Sequence, residues 1–121
     1  MAALFSFWSC REKMKDEDFV GVWKAHDGAV AKLEKNRIAI INGINLANIF
    51  SNENKIVDIT GQWKLTTDFN KNQVIEINTD KYKFAFYISG QGVFGNKRPW
   101  NLYLFIGDPD DLNKYLFTKD K

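Results

Sequence analysis

The chain is poor in the residues from which covalent staples and metal centres are made. Cys10 is the only cysteine, which excludes an intramolecular disulfide and means that an oxidising compartment would have to be endured without one. His26 is the only histidine, so a metal site built from clustered histidines is excluded. No G-x-S-x-G element or Cys–His pairing accompanies it, and beside Asp27 it reads as a solvated turn residue rather than a catalytic base. No apolar run approaches the roughly 20 residues that a membrane-crossing helix needs. Nor does one sign of charge dominate: 17 Lys and Arg against 15 Asp and Glu leave a net charge of +2, which gives no electrostatic argument for nucleic acid or an anionic membrane as partner.

Aromatic residues are what the sequence has in quantity. Ten Phe, four Trp and four Tyr in 121 residues favour strands over helices and fill a small core with few side chains. A chain of this length fits one domain, because dividing it would leave two cores too small to stand alone. The expected organisation is an N-terminal signal remnant or tether over residues 1–18 and a single β-domain over residues 19–121.

From Phe19 onward short strands alternate with turn signals. Phe19–Lys24 reads as the first strand, ended by His26-Asp27-Gly28, in which Asp-Gly marks a hairpin. Ala29–Leu33 and Arg37–Ile41 follow, and Asn42–Lys55, with Asn42-Gly43 and four more asparagines, reads as a loop, with a short helical turn at Leu46–Phe50 as the alternative. Val57–Thr66 alternates cleanly, with Ile59, Gly61, Trp63 and Leu65 on one face and Thr60, Gln62, Lys64 and Thr66 on the other. Gln73–Asn78 and Lys81–Ser89 supply two more strands. The hairpin Pro99–Thr118, turning at Gly107-Asp108-Pro109-Asp110-Asp111, supplies the last two. No helix of ordinary length fits after residue 18. Eight strands in sequence predict an all-β, antiparallel meander closing into a small barrel, since closure removes two exposed edges; an incompletely closed sheet is the alternative. By parity Trp23, Trp63, Phe84, Phe86, Trp100, Tyr115 and Phe117 face inward, and such a barrel is narrow enough for them to fill.

Two constellations invite a chemical reading and fail on context. Gly90-Gln91-Gly92-Val93-Phe94-Gly95 satisfies G-x-G-x-x-G, but a phosphate site needs a helix after it, and Asn96-Lys97-Arg98-Pro99 leads to another strand. Asp108, Asp110 and Asp111 crowd three carboxylates into four residues. A calcium loop of the EF-hand kind counted from Asp108 needs Gly at its sixth position and Glu at its twelfth, where Asn113 and Lys119 stand. The aspartates therefore read as a register-fixing turn. No metal and no cofactor is expected, and the chain is not expected to be an enzyme.

Outward parity is more informative. Tyr87, Tyr103, Phe105, Leu116, Val20 and Val22, with Ala85, point away from the interior on strands six, seven, eight and one, which are neighbours in a closed meander. They predict one continuous apolar patch, either a protein-partner site or a surface covered by the N-terminal residues Leu4, Phe5, Phe7 and Trp8.

Three resemblances bear on these expectations. The apolar run Ala2–Ser9, then Cys10, then the charged Arg11–Asp18, resembles the end of a bacterial lipoprotein signal peptide. That implies lipidation at Cys10 and anchoring at the cell envelope; without a signal peptide the chain would be cytoplasmic. With no Lys or Arg before the apolar run, the resemblance carries the expectation of an upstream start. The alternative is an apolar segment packed on the domain, with Cys10 an ordinary thiol. Gly21-Val22-Trp23, repeated at Gly61-Gln62-Trp63, is similar to the G-x-W entry motif of lipocalin-like barrels, in which the Trp closes one end. The late Arg that covers that Trp in lipocalins is absent, Lys114 and Lys119 being the basic residues on the last strand. Over residues 19–119 the chain resembles small bacterial proteins, often lipoproteins, that open with G-x-W and D-G and end in I-G-D-P-D before an aromatic-x-Phe strand. Trp23, Lys24, Asp27, Gly28, Ile106, Gly107, Asp108, Pro109, Asp110, Tyr115 and Phe117 match that pattern. The resemblance implies a lipocalin-like fold and no particular activity.

The expectation is a non-enzymatic, envelope-tethered barrel that binds a protein partner. An immunity protein that neutralises a bacterial toxin by direct binding, and a carrier of a small apolar ligand, are the alternatives.

Overall fold

Alternation along each strand and the tight turns between them are realised as a closed sheet. The structure, a computed structural model, describes residues 14–49, 54–69, 71–89, 100–105 and 114–120. Strands β1 (Gly21–Ala25), β2 (Val30–Leu33), β3 (Ile38–Asn45), β4 (Ile56–Thr67), β5 (Gln73–Asn78), β6 (Lys83–Ile88), β7 (Leu102–Phe105) and β8 (Lys114–Lys119) run in sequence order round an antiparallel barrel. Closure comes from β8 returning to β1, with Trp23 opposite Lys119, Lys24 opposite Thr118 and Ala25 opposite Phe117. No strand is left at an outer edge of the sheet as a whole, which is the economy that closure offers.

The interior is aromatic and aliphatic. Trp23, Phe86, Tyr115 and Phe117 are essentially inaccessible, alongside Ile41, Ile44, Ile75, Ile77 and Leu102, and Trp63 and Trp100 join the same cluster. Phe117 is the hub: its ring meets Phe86 at 5.2 Å and Tyr115 at 5.0 Å, both edge to face, a geometry favoured by the ring quadrupoles. Phe84 is only half buried and packs against this cluster from its margin.

The two G-x-W elements are built alike. Each indole N–H donates to a backbone carbonyl, Trp23 to Phe19 and Trp63 to Glu34, both at 2.9 Å. Each ring is also covered by a cation: the Lys119 ammonium lies 6.0 Å from the Trp23 ring centre and the Arg37 guanidinium 5.2 Å from that of Trp63. The Lys119 ammonium also donates to the carbonyl of Asp18, next to Phe19, at 3.1 Å. Both glycines are required. Gly21 has φ +143°, and a Cβ there would lie 2.9 Å from Cε of Lys119. A Cβ on Gly61 would lie 2.2 Å from the carbonyl oxygen of Asn78, a backbone atom that cannot swing aside.

Two segments differ from the reading of the sequence alone. Asn42–Lys55 begins as strand, not loop: β3 runs on to Asn45 because an irregularity between Ile41 and Ile44 bends it. Gly43 sits there at φ +70°, and its N–H is taken by the Asp58 carboxylate at 2.9 Å. A single 3-10 turn at Leu46–Asn48 follows, with the Asn45 side chain accepting from Ala47 N–H at 3.0 Å. At the other end, Met14, placed in the tether by composition, is buried in the core cluster at 8% exposure. A 3-10 turn at Asp16–Asp18, tied to Arg37 by an ion pair with Asp16, carries the chain to Phe19. Phe19 precedes β1 rather than opening it. Its ring stacks on Trp23 at 6.2 Å and Trp100 at 5.8 Å, so three aromatic rings close one mouth of the barrel.

Candidate interaction surface

The strand register decides which outward residues are neighbours. Val74 pairs with Tyr87, Tyr87 with Tyr103, and Tyr103 with Leu116, so these four form one transverse row across β5, β6, β7 and β8. The Tyr87 and Tyr103 rings are stacked, 5.5 Å apart and 28° from parallel. Tyr87 and Leu116 are 38% and 39% exposed, whereas Val74 beneath the row's end is buried. Withdrawal of the Tyr103 hydroxyl from water raises its pKa above the ordinary tyrosine value, and the neighbouring Tyr87 adds to the effect. A shallow groove of about 80 Å³ opens beside the stack, walled by Asn72, Gln73 and the two tyrosines.

The row does not continue into β1 as one patch. Val20 turns in and packs against the interior cluster, because Gly21 at φ +143° breaks the simple alternation just after it. Val22 faces out but pairs with Lys32, and Lys24 and Thr118 lie opposite each other between it and Leu116. Stagger between β8 and β1 is the physical reason: Leu116 falls beyond the last paired residue of β1, Ala25, whereas Val22 lies at the far end of that ladder. Phe105 belongs to β7, but its side chain lies outside the described residues, as do Cys10, Asp108, Pro109, Asp110 and the Gly90–Gly95 loop.

A second polar constellation, which strand parity alone does not reveal, ties the opposite side of the sequence together. The Tyr115 hydroxyl donates toward both carboxylate oxygens of Asp27, at 2.8 and 2.9 Å, and Oδ1 of Asp27 also accepts from Ala29 N–H at 3.1 Å. His26 meets the Tyr115 ring edge-on at 6.4 Å. Burial first, and then the Asp27 carboxylate, push the Tyr115 phenol far above its ordinary pKa. A phenol so strongly held in its protonated form is a poor base or nucleophile, and serves as a clasp from β8 to the β1–β2 turn. Among the described residues, no group of three or more His, Cys, Asp or Glu side chains is placed to hold a metal ion, and no helix is long and apolar enough to cross a membrane.

Compared with protein-family models, with curated proteins and with solved structures, the chain gives no match.

Proposed function

We propose that this chain is a non-enzymatic binding domain that engages a protein partner through the row formed by Tyr87, Tyr103 and Leu116, and that it is held at the bacterial cell envelope by a lipid on Cys10. The observation that carries the reading is the stacked tyrosine pair beside an exposed leucine, on a barrel whose inward side chains already pack against one another. Tyrosine is a favoured interface residue because it offers a rigid apolar face and a hydroxyl donor together. The packed aromatic interior speaks for the outer surface over the carriage of an apolar ligand. The envelope part rests on the sequence resemblance at Cys10, four positions before the first described residue, Met14, which is buried in the core.

Tyr103→Ser tests the binding surface. Partner capture from the producing bacterium should be lost while the melting temperature stays close to that of the parent. A large loss of stability would instead show that the row is an internal packing surface.

A further inference from the structure

Among the described residues, β4 has partners on both sides only around Gln62 and Trp63, where its two halves meet. Residues 62–67 pair with β5 and residues 56–62 with β3, so among the described residues no strand lies against the other side of residues 56–61. β5 stops at Asn78, and the chain reverses through a turn that satisfies itself. Thr79 N–H donates to the Tyr82 carbonyl at 2.8 Å, and Thr79 Oγ1 accepts from the N–H groups of Lys81 and Tyr82 at 3.2 and 2.7 Å. Among the described residues, that turn sends no backbone hydrogen bond to β4.

The register identifies the groups left over. Trp63 N–H donates to the Arg37 carbonyl at 2.9 Å, and beyond the bulge Leu46 N–H donates to the Lys55 carbonyl at 2.8 Å, so the odd-numbered residues of β4 bond toward β3. Hydrogen-bonding direction alternates along an antiparallel strand. The N–H and C=O groups of Ile56, Asp58 and Thr60 therefore point the other way, into the space where a neighbouring strand would lie. A groove occupies that space. One part, about 470 Å³, lies between Thr60–Gln62 and Asn78–Asp80, and a second part of about 260 Å³ continues it toward Asp58 and Tyr82.

We propose that this free edge of β4 docks an extended, basic peptide from another protein, which adds as an antiparallel strand along Ile56–Thr60. An unpaired strand edge selects an extended backbone, because its donors and acceptors recur at strand spacing and only another strand matches them in series. Ile56, 69% exposed on this edge, adds apolar contact. Charge selects the basic partner: Asp58 stands on one lip of the groove and Asp80 on the other, with Lys81 the one cationic residue among those lining it. A second copy of the chain fits worse. The self-pairing that matches the free groups symmetrically about residue 58 sets Asp58 against its own image, and like charges directly opposite are unfavourable.

The test uses the full chain and a synthetic library of seven-residue peptides with Lys or Arg at alternate positions, read by fluorescence polarisation. Saturable binding is expected, and in the best binder N-methylation of the residues on one parity should weaken it by about tenfold or more, while methylation on the other parity is tolerated. Thr60→Pro removes a groove-facing donor without touching the β3 ladder and should have the same effect. Asp80→Lys, which leaves the Asp58–Gly43 bond and the backbone edge in place whatever becomes of the proline variant, should abolish the preference for basic peptides. No binding at about 1 mM peptide, binding indifferent to methylation parity, or a preference unchanged by Asp80→Lys would each overturn the proposal. Concentration-dependent dimerisation abolished by Thr60→Pro would overturn it in favour of self-pairing.

Discussion

Tyr115 on β8 and Asp27 in the β1–β2 turn, 88 positions apart in the chain, are joined by a phenol hydrogen bond that reaches both carboxylate oxygens at 2.8 and 2.9 Å. The bond spans the seam where the barrel closes. It links the last strand to the first hairpin just beyond the Ala25–Phe117 pair, so the Asp-Gly turn is fixed both by its own backbone and by the strand it must meet. Tyr115→Phe keeps the ring against Phe117 and removes the clasp alone. A loss of about 1.5–3 kcal/mol in denaturant unfolding is expected, the ordinary worth of a hydrogen bond to a charged group.

The same tyrosine gives the fold an alkaline limit. Its folded pKa lies above the ordinary value of 10.0, so the stability linked to its protonated form is complete below that value and is lost as pH rises beyond it. Stability measured from neutral to strongly alkaline pH should fall above about pH 10, and the Tyr115→Phe variant should fall less steeply. Equal slopes for the two proteins would mean that Tyr115 ionises as freely folded as unfolded.

Trp23 is 1% exposed, stacked with Phe19 and tied by its indole N–H to the Phe19 carbonyl. Trp23→Ala should cost about 3–5 kcal/mol in chemical denaturation, the range for deleting a large core aromatic. A cost below about 1 kcal/mol would place the side chain outside the core.

Gly61→Ala should also destabilise, for the opposite reason. The added methyl meets the Asn78 carbonyl rather than empty space, so β5 must move where it leaves β4. A loss of about 1–3 kcal/mol is expected from such overpacking. Because Asn78 is the last residue of β5 to pair with β4, amide exchange should quicken first at that end of the strand.

Lipidation at Cys10 predicts that a chain extended to an upstream start incorporates labelled palmitate in a bacterial host, and that Cys10→Ser abolishes the label. Label absent from the parent chain, or retained by the variant, contradicts the tether.

Much of the architecture was legible because strand period and turn chemistry are local. Ile59, Trp63, Ile75, Ile77 and Phe86 announce their inward side by alternation, and Asp27-Gly28 announces a hairpin, whatever the rest of the chain does. Features that depend on two strands at once were not legible in the same way. Parity placed Val22 on the outer face but could not show that the β8–β1 stagger carries it away from Leu116. Nor could composition show that Asn42-Gly43 bends a strand instead of ending it, since the bend is held by Asp58 from the neighbouring strand. Lys119 over Trp23 and Tyr115 against Asp27 are likewise products of closure. The outer row was half legible: its residues by parity, its true membership only by register.

Photo-crosslinking from the row itself is the most direct measurement of the central claim. A photoreactive amino acid in place of Leu116, at the exposed end of the Tyr87–Tyr103 row, should yield a discrete crosslinked species in the cells that make the protein; the same residue in place of exposed Lys64 on β4 should not. No crosslink from position 116, or equal crosslinking from both positions, would contradict a binding surface built on Tyr87, Tyr103 and Leu116.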